Sequence, residues 1–216
     1  MNIVVLAGGL STERDVSFKT GDMVTKALRK NGHQVILLDV FMGYGEEEQD
    51  ITGIFEHSEE ASVKVTDIPE TAPDLDKVRK SRKDQSACFF GPNVIAMCRM
   101  ADIVFMALHG ANGEDGKCQA AFDLQGIKYT GDGSVASALA MDKSITKQIF
   151  MAQNVSTPKG IWIKKGESTN LSDYGMKIPV VVKASNGGSS VGVVIVKDEK
   201  DYDAALKECF ALEDTI

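Results

Sequence analysis

The chain has 216 residues, room for one large domain or two modest ones. Hydrophobic residues make up 43% and charged residues 25%, a globular composition that excludes wholesale disorder. A net charge of −7 and a pI near 5.0 argue against a general nucleic-acid binder, which is more often basic.

Four cysteines, Cys88, Cys98, Cys118 and Cys209, form no CxxC and no close pair. Neither a disulfide framework nor a zinc site is expected, and a reducing compartment fits. No apolar run approaches the roughly 18–20 residues that cross a bilayer. Met1 to Ala7 has no basic n-region and runs straight into Gly8-Gly9, so it reads as a buried strand rather than a signal core. A soluble, cytoplasmic protein is expected, with no membrane partner.

The first 40 residues read as a βαβ opening. Ile3 to Ala7 is a strand covered on both faces. A glycine turn leads to a helix over 16–28, whose apolar residues are Val16, Met23, Val24, Ala27 and Leu28; Asn31-Gly32 stops it. Val35 to Leu38 is the next strand, ending at Asp39.

Residues 41–84 change character. Eleven acidic residues between Glu46 and Asp76 precede a basic cluster from Lys77 to Lys83. Val63-Lys64-Val65 alternates like a short surface strand. The stretch to about residue 100 reads as a surface insertion, its basic cluster a solvated face beside an acidic neighbour.

Regular patterning then returns: a helix over 93–100, a strand over 103–107, a helix ending before Gly126, and a strand over 127–130. A long helix spans 134–153, and Pro158 leads into a strand at Ile161 to Ile163. Strands over 179–183 and 191–196 flank a Gly/Ser loop, and a helix covers 201–212. The rhythm changes near residue 132, so the domains are expected at 1–132 and 133–216.

Four segments carry chemistry. In Gly8 to Ser17, glycines follow a strand and open a helix, where free N–H groups meet ligands. Glu13 there is either a ligand anchor or a charge that favours the helix dipole or joins a capping box. His109 sits at the end of a buried strand, before three glycines in seven residues. It is either a structural histidine or one that points into the same crevice.

Gly131-Asp132-Gly133-Ser134-Val135-Ala136 matches G-x-G-x-x-A, but no acidic residue lies between Lys143 and Glu167 to bind a ribose. It reads as an interdomain turn. Gly188 to Gly192 matches G-x-S-x-G, but a β-branched run follows where a nucleophile elbow needs a helix, and His33, His57 and His109 all precede the serine. The loop reads instead as a flap whose amides and hydroxyls close over phosphates, with Lys183 offsetting their charge.

Taken together, the segments resemble the D-alanine–D-alanine ligase family of ATP-grasp enzymes. The matching residues are Gly8 to Ser17, Ala107 to Gly110 with Gly113 to Gly116, Ser137 to Lys143, and Val182-Lys183 with Gly188 to Gly192. The resemblance covers 1–40 and 101–216. It implies an α/β fold: a parallel-sheet, Rossmann-like N-terminal domain of the pre-ATP-grasp type, then an α+β ATP-grasp central domain. It also implies that the C-terminal ATP-grasp domain lies outside this chain.

The implied activity joins two D-alanines with ATP for peptidoglycan precursors. The first carboxylate becomes an acyl phosphate, which the second amine attacks. Glu13 would anchor the first ammonium, with His109 beside that substrate. Ser189 would bond with Glu13 and, with Gly188 and Ser190, cover the phosphates. Lys143 and Lys183 would contact ATP phosphates; read alone, both are surface cations. The resemblance also implies a homodimer, and Mg²⁺ or Mn²⁺ held by residues beyond Ile216.

Two departures stand out: Asn186-Gly187 replaces the family's usual charged pair, and Ala184 its common proline. The chain is read as a fragment, inactive alone. A non-catalytic binding or dimerisation module on the same fold is the alternative. D-alanine, D-serine and D-lactate remain open as the second substrate.

Overall fold

The apolar run at the N-terminus forms β1 (Asn2–Ala7), the central strand of a three-stranded parallel sheet ordered β2-β1-β3. Its neighbours are β2 (Gln34–Asp39) and β3 (Ile103–Met106). The computed structural model describes residues 1–46, 49–65, 73–186 and 192–216. Register sets Val4 against both Ile36 and Val104. Val4, Leu6, Ile36 and Leu38 pack into one apolar cluster, and Ile3, Val5, Val35 and Leu37 into another. Covering both faces removes the polar alternation of a half-exposed strand.

The helix after β1, α1 (Arg14–Lys30), packs by a face that takes only part of the expected apolar set, with Val24 and Leu28 against the sheet. Val16, Met23 and Ala27 are exposed, and Val24 and Leu28 only half-buried. The buried residues are Arg14, Ser17, Gly21 and Thr25. The physical reason is close approach: a Cβ on Gly21 would stand 2.7 Å from Leu37 Cδ1 and 3.0 Å from Ala7 Cβ. Small residues let the helix sit down on the sheet, and burial follows proximity rather than hydropathy.

The expected surface insertion also builds core. After α2 (Leu75–Ser81), α3 (Val94–Met100) and α4 (Lys117–Gln125) bury Val94, Met97, Cys98, Cys118 and Phe122 against the sheet. Phe41, Ile54, Phe55 and Ala61 join the same cluster. Within the basic cluster, Arg82 is buried rather than solvated. Its guanidinium donates to the carbonyls of Phe41, Asp84, Ser86 and Cys88, and stacks 4.2 Å from the Phe41 ring. Val63 to Val65 forms no strand; Val63 N–H donates to Leu37 O, and both valines pack against the sheet.

Two other expected strands shrink to single bridges. Residues 127–130 pair with β3 only at Tyr129 and Val104, and Ile161 to Ile163 gives way to one bridge between Lys164 and Thr215. The long helix over 134–153 is broken into α5 (Ser134–Met141) and α6 (Lys143–Ala152). Asp142 breaks it: its backbone is extended, and its carboxylate accepts from Ser144 N and Ile145 N as an N-cap.

The chain divides into two compact units, Met1–Ala138 and Leu139–Ile216. In the second, β4 (Val180–Lys183) and β5 (Val193–Val196) form an antiparallel pair with Val181 opposite Ile195. The helix α7 (Tyr202–Phe210) covers one face through Ala205, Leu206 and Cys209. No helix among the described residues is long and apolar enough to cross a membrane.

Candidate functional site

In the first unit, the turn after β1 passes through Gly8 and Gly9, both at positive φ (+77° and +81°). Only glycine takes this path readily. A buried ion pair holds the turn. Arg14 reaches back from α1 to Asp39 at the end of β2 and donates to Gly9 O at 2.6 Å. Asp39 also accepts from Phe41 N at 2.9 Å. Ser17 adds a second tie, accepting from Gly8 N and donating to Ala107 O beyond β3.

These ties bring Glu13 and His109 together at the carboxyl ends of the strands. Glu13 is the N-cap of α1, yet its side chain makes no capping bond, and no capping box forms. Ser11 Oγ supplies the local bond instead, accepting from Glu13 N at 3.2 Å and donating to His109 O at 2.7 Å. The Glu13 carboxylate is half-buried beside Gly110. The His109 ring pairs through Nε2 with Thr20 Oγ1 at 3.1 Å. A carboxylate and an imidazole at this end of a parallel sheet can receive an ammonium and orient a small amino acid.

In the second unit, Lys143 opens α6 and Lys183 ends β4. Both line a cleft of about 650 Å³, with Lys147 and Lys159 as further cations and Trp162 and Ile195 as apolar wall. Burial first, and then the nearby Lys183 ammonium, hold the Lys143 ammonium below its ordinary range. Clustered lysines beside an apolar wall suit a ligand with phosphates at one end and a flat ring at the other. Gly188, Ser189 and Ser190, expected over the phosphates, lie outside the described residues.

Two of the first unit's cysteines, Cys98 and Cys118, are buried, whereas Cys88 is exposed. Burial pushes Cys98 and Cys118 up to about 12, where a thiolate is inaccessible at neutral pH.

Two family models match the chain: "D-ala D-ala ligase N-terminus" over residues 2–132 and "D-ala D-ala ligase C-terminus" over residues 151–216. The chain belongs to the D-alanine–D-alanine ligase family. The D-alanine–D-alanine ligase of Lacticaseibacillus casei is 40% identical to this ligase-family chain over 216 residues, covering all of it and 59% of its own length. The ligase of Pediococcus pentosaceus is 42% identical over 221 residues, covering all of the chain and 61% of its own length. The crystal structure of the Bacillus anthracis ligase complexed with ATP superposes with a TM-score of 0.63 at 26% identity, over all of this chain and 56% of that one. The chain thus spans about 60% of the length of these curated relatives. Their similarity also runs through 41–100, which the motifs had left without a counterpart.

Sequence reasoning missed the residues that support this ligase-family site. Arg14 and Asp142 lie within the matching segments but were given no role there, and Thr20, Asp39 and Ser185 lie outside them; each matters through a partner distant in sequence. For Asp142 a local signal existed: an acid two residues before Ser144, at the end of an apolar helix, is a capping position.

Proposed function

We propose that the chain supplies the first D-alanine subsite and part of the nucleotide site of an ATP-dependent D-alanine–D-alanine ligase. The observation that carries this reading is the cleft in the second unit, where Lys143 and Lys183 share one space with an apolar wall. The relatives' names and the ATP complex of the Bacillus anthracis ligase support it.

In the proposed reaction, Glu13 anchors the ammonium of the first D-alanine and His109 flanks that substrate. Lys143 and Lys183 neutralise the phosphates of ATP, and Gly188, Ser189 and Ser190 cover them. A carboxylate oxygen of the first D-alanine attacks the γ-phosphorus, and ADP leaves. The resulting acyl phosphate has a good leaving group, so the amine of the second D-alanine displaces phosphate and forms the peptide bond. Positioning and charge neutralisation do most of such work.

Magnesium is the expected counter-ion of the phosphates. Among the described residues no group of three or more His, Cys, Asp or Glu side chains gathers to hold a metal, so these residues do not fit the ion and no step is routed through it. We further propose a cytoplasmic homodimer, and that the 216 residues alone do not complete the reaction.

The test is Glu13→Gln in the full-length enzyme. A charge-assisted bond to an ammonium is worth about 1.5–3 kcal/mol, so KM for the first D-alanine should rise about ten- to a hundredfold while KM for ATP holds. An unchanged KM and kcat would reduce Glu13 to a helix-end charge. The 216-residue chain should release no phosphate from ATP and D-alanine; measurable release overturns its proposed inactivity.

A further inference from the structure

Ser185 follows β4, is almost fully buried, and lines the same cleft as Lys143 and Lys183. Its two polar ends both reach the start of α6. The hydroxyl donates to Asp142 Oδ1 at 3.2 Å. The carbonyl accepts from Lys143 N at 3.1 Å and from Lys143 Nζ at 3.2 Å. Asp142 Oδ1 is meanwhile the cap of α6, taking Ser144 N at 2.8 Å, Ser144 Oγ at 2.6 Å and Ile145 N at 3.0 Å. Ser185 N–H donates in turn to Thr215 O.

The segment carrying Lys183 and the helix carrying Lys143 are therefore tied through one residue. That tie holds two like charges on one cleft: burial first, and then Lys183, disfavour the charge on Lys143, while Glu213 and Asp142 act the other way. A lysine held on a flexible four-carbon stem would otherwise swing away from a like charge into solvent. Here its main chain and its ammonium are both bound to a buried carbonyl, whose dipole also partly offsets the crowding of positive charge.

We propose that Ser185 is a positioning residue for nucleotide binding: clamped by Asp142, it holds Lys143 facing the same space as Lys183 before ATP arrives. The inference rests on the cleft being the ATP site. Preorganisation of this kind lowers the ordering cost of binding.

The experiment measures ATP affinity by calorimetry, and KM for ATP and for D-alanine, on the full-length enzyme with Ser185→Ala, Asp142→Asn and the double variant. Loss of one buried hydrogen bond corresponds to about a three- to tenfold change. Ser185→Ala should weaken ATP by that factor and leave KM for D-alanine unchanged, a split that general loosening would not produce. The double variant should weaken ATP no more than the stronger single one, because both break the same clamp. Thermal unfolding checks that each variant folds; should Ser185→Ala fail, Asp142→Asn alone must show the same split. Equal losses for both substrates, multiplicative effects in the double variant, or unchanged ATP affinity overturn the proposal. A wild-type enzyme that binds no ATP overturns the cleft reading as well, whereas one that binds ATP as well as Ser185→Ala does overturns the clamp alone.

Discussion

The Glu13 carboxylate lies against the α-carbon of Gly110: a Cβ built there would stand 2.9 Å from Glu13 Oε2. Gly110 also has a positive φ of +70°. The glycine that follows His109 thus leaves the space in which the carboxylate sits. Its N–H is occupied separately, donating to Glu114 Oε2 at 2.6 Å.

Gly110→Ala follows directly. The methyl displaces the far end of a flexible side chain, which costs little by itself, and the left-handed backbone adds about 1 kcal/mol. Stability should fall only slightly, while KM for the first D-alanine rises at least about tenfold, comparable to losing the Glu13 charge. Steady-state kinetics with a denaturation curve check both. A variant with normal kinetics would show that the carboxylate acts from another position.

The Arg14–Asp39 pair is a different kind of feature. The side chains are 11% and 3% exposed, so removing one partner strands a charge away from water. Asp39→Ala should destabilise the first unit by about 3–5 kcal/mol. Urea denaturation reads this directly, and a loss under about 1 kcal/mol would mean that water reaches Arg14. The Gly8-Gly9 turn should loosen with it, since Arg14 also holds Gly9 O.

At Gly21 two effects oppose each other. Alanine in a helix interior is favoured over glycine by about 0.5–1 kcal/mol. Against that, the new methyl meets Leu37 Cδ1 at 2.7 Å and Ala7 Cβ at 3.0 Å in a packed interior. Overpacking costs about 1–3 kcal/mol, so Gly21→Ala should be net destabilising. A raised melting temperature would show that α1 can lift off the sheet at no cost.

Asp142 makes acid sensitivity testable. Burial pushes its carboxyl up, but hydrogen bonds from Ser144, Ile145 and Ser185 together outweigh this and hold it below the ordinary 3.8. A carboxyl lowered in the folded state stabilises above the unfolded value, and that stability is lost as pH falls from 3.8 through its own lower value. Between pH 6 and 3, wild type should therefore lose more melting temperature than Asp142→Asn, which has no charge there to lose. Parallel curves would remove Asp142 as the titrating cap.

Local chemistry alone determined much of this protein. The run Ile3 to Ala7 could only be a doubly covered strand, and the turn residues after it marked the ligand end of the sheet. Motif order pointed to the ligase family; Glu13, His109 and Lys183 stood out at strand and helix ends, whereas Lys143, expected in mid-helix, came only with the family resemblance. Tertiary structure decided the rest. Whether Val16 or Gly21 faces the sheet depends on how closely α1 approaches β1 and β2, a distance that no helical period contains. Arg82 looked like one more surface cation, yet it is buried because the carbonyls of Asp84, Ser86 and Cys88 in its own loop and the carbonyl and ring of Phe41, 41 positions away, converge on it. The 134–153 helix broke at Asp142 because the carboxylate gains Ser185, 43 positions away, besides its local cap. Pattern reads neighbours in sequence, whereas these outcomes were set by hydrogen bonds and contacts between residues that only folding makes neighbours.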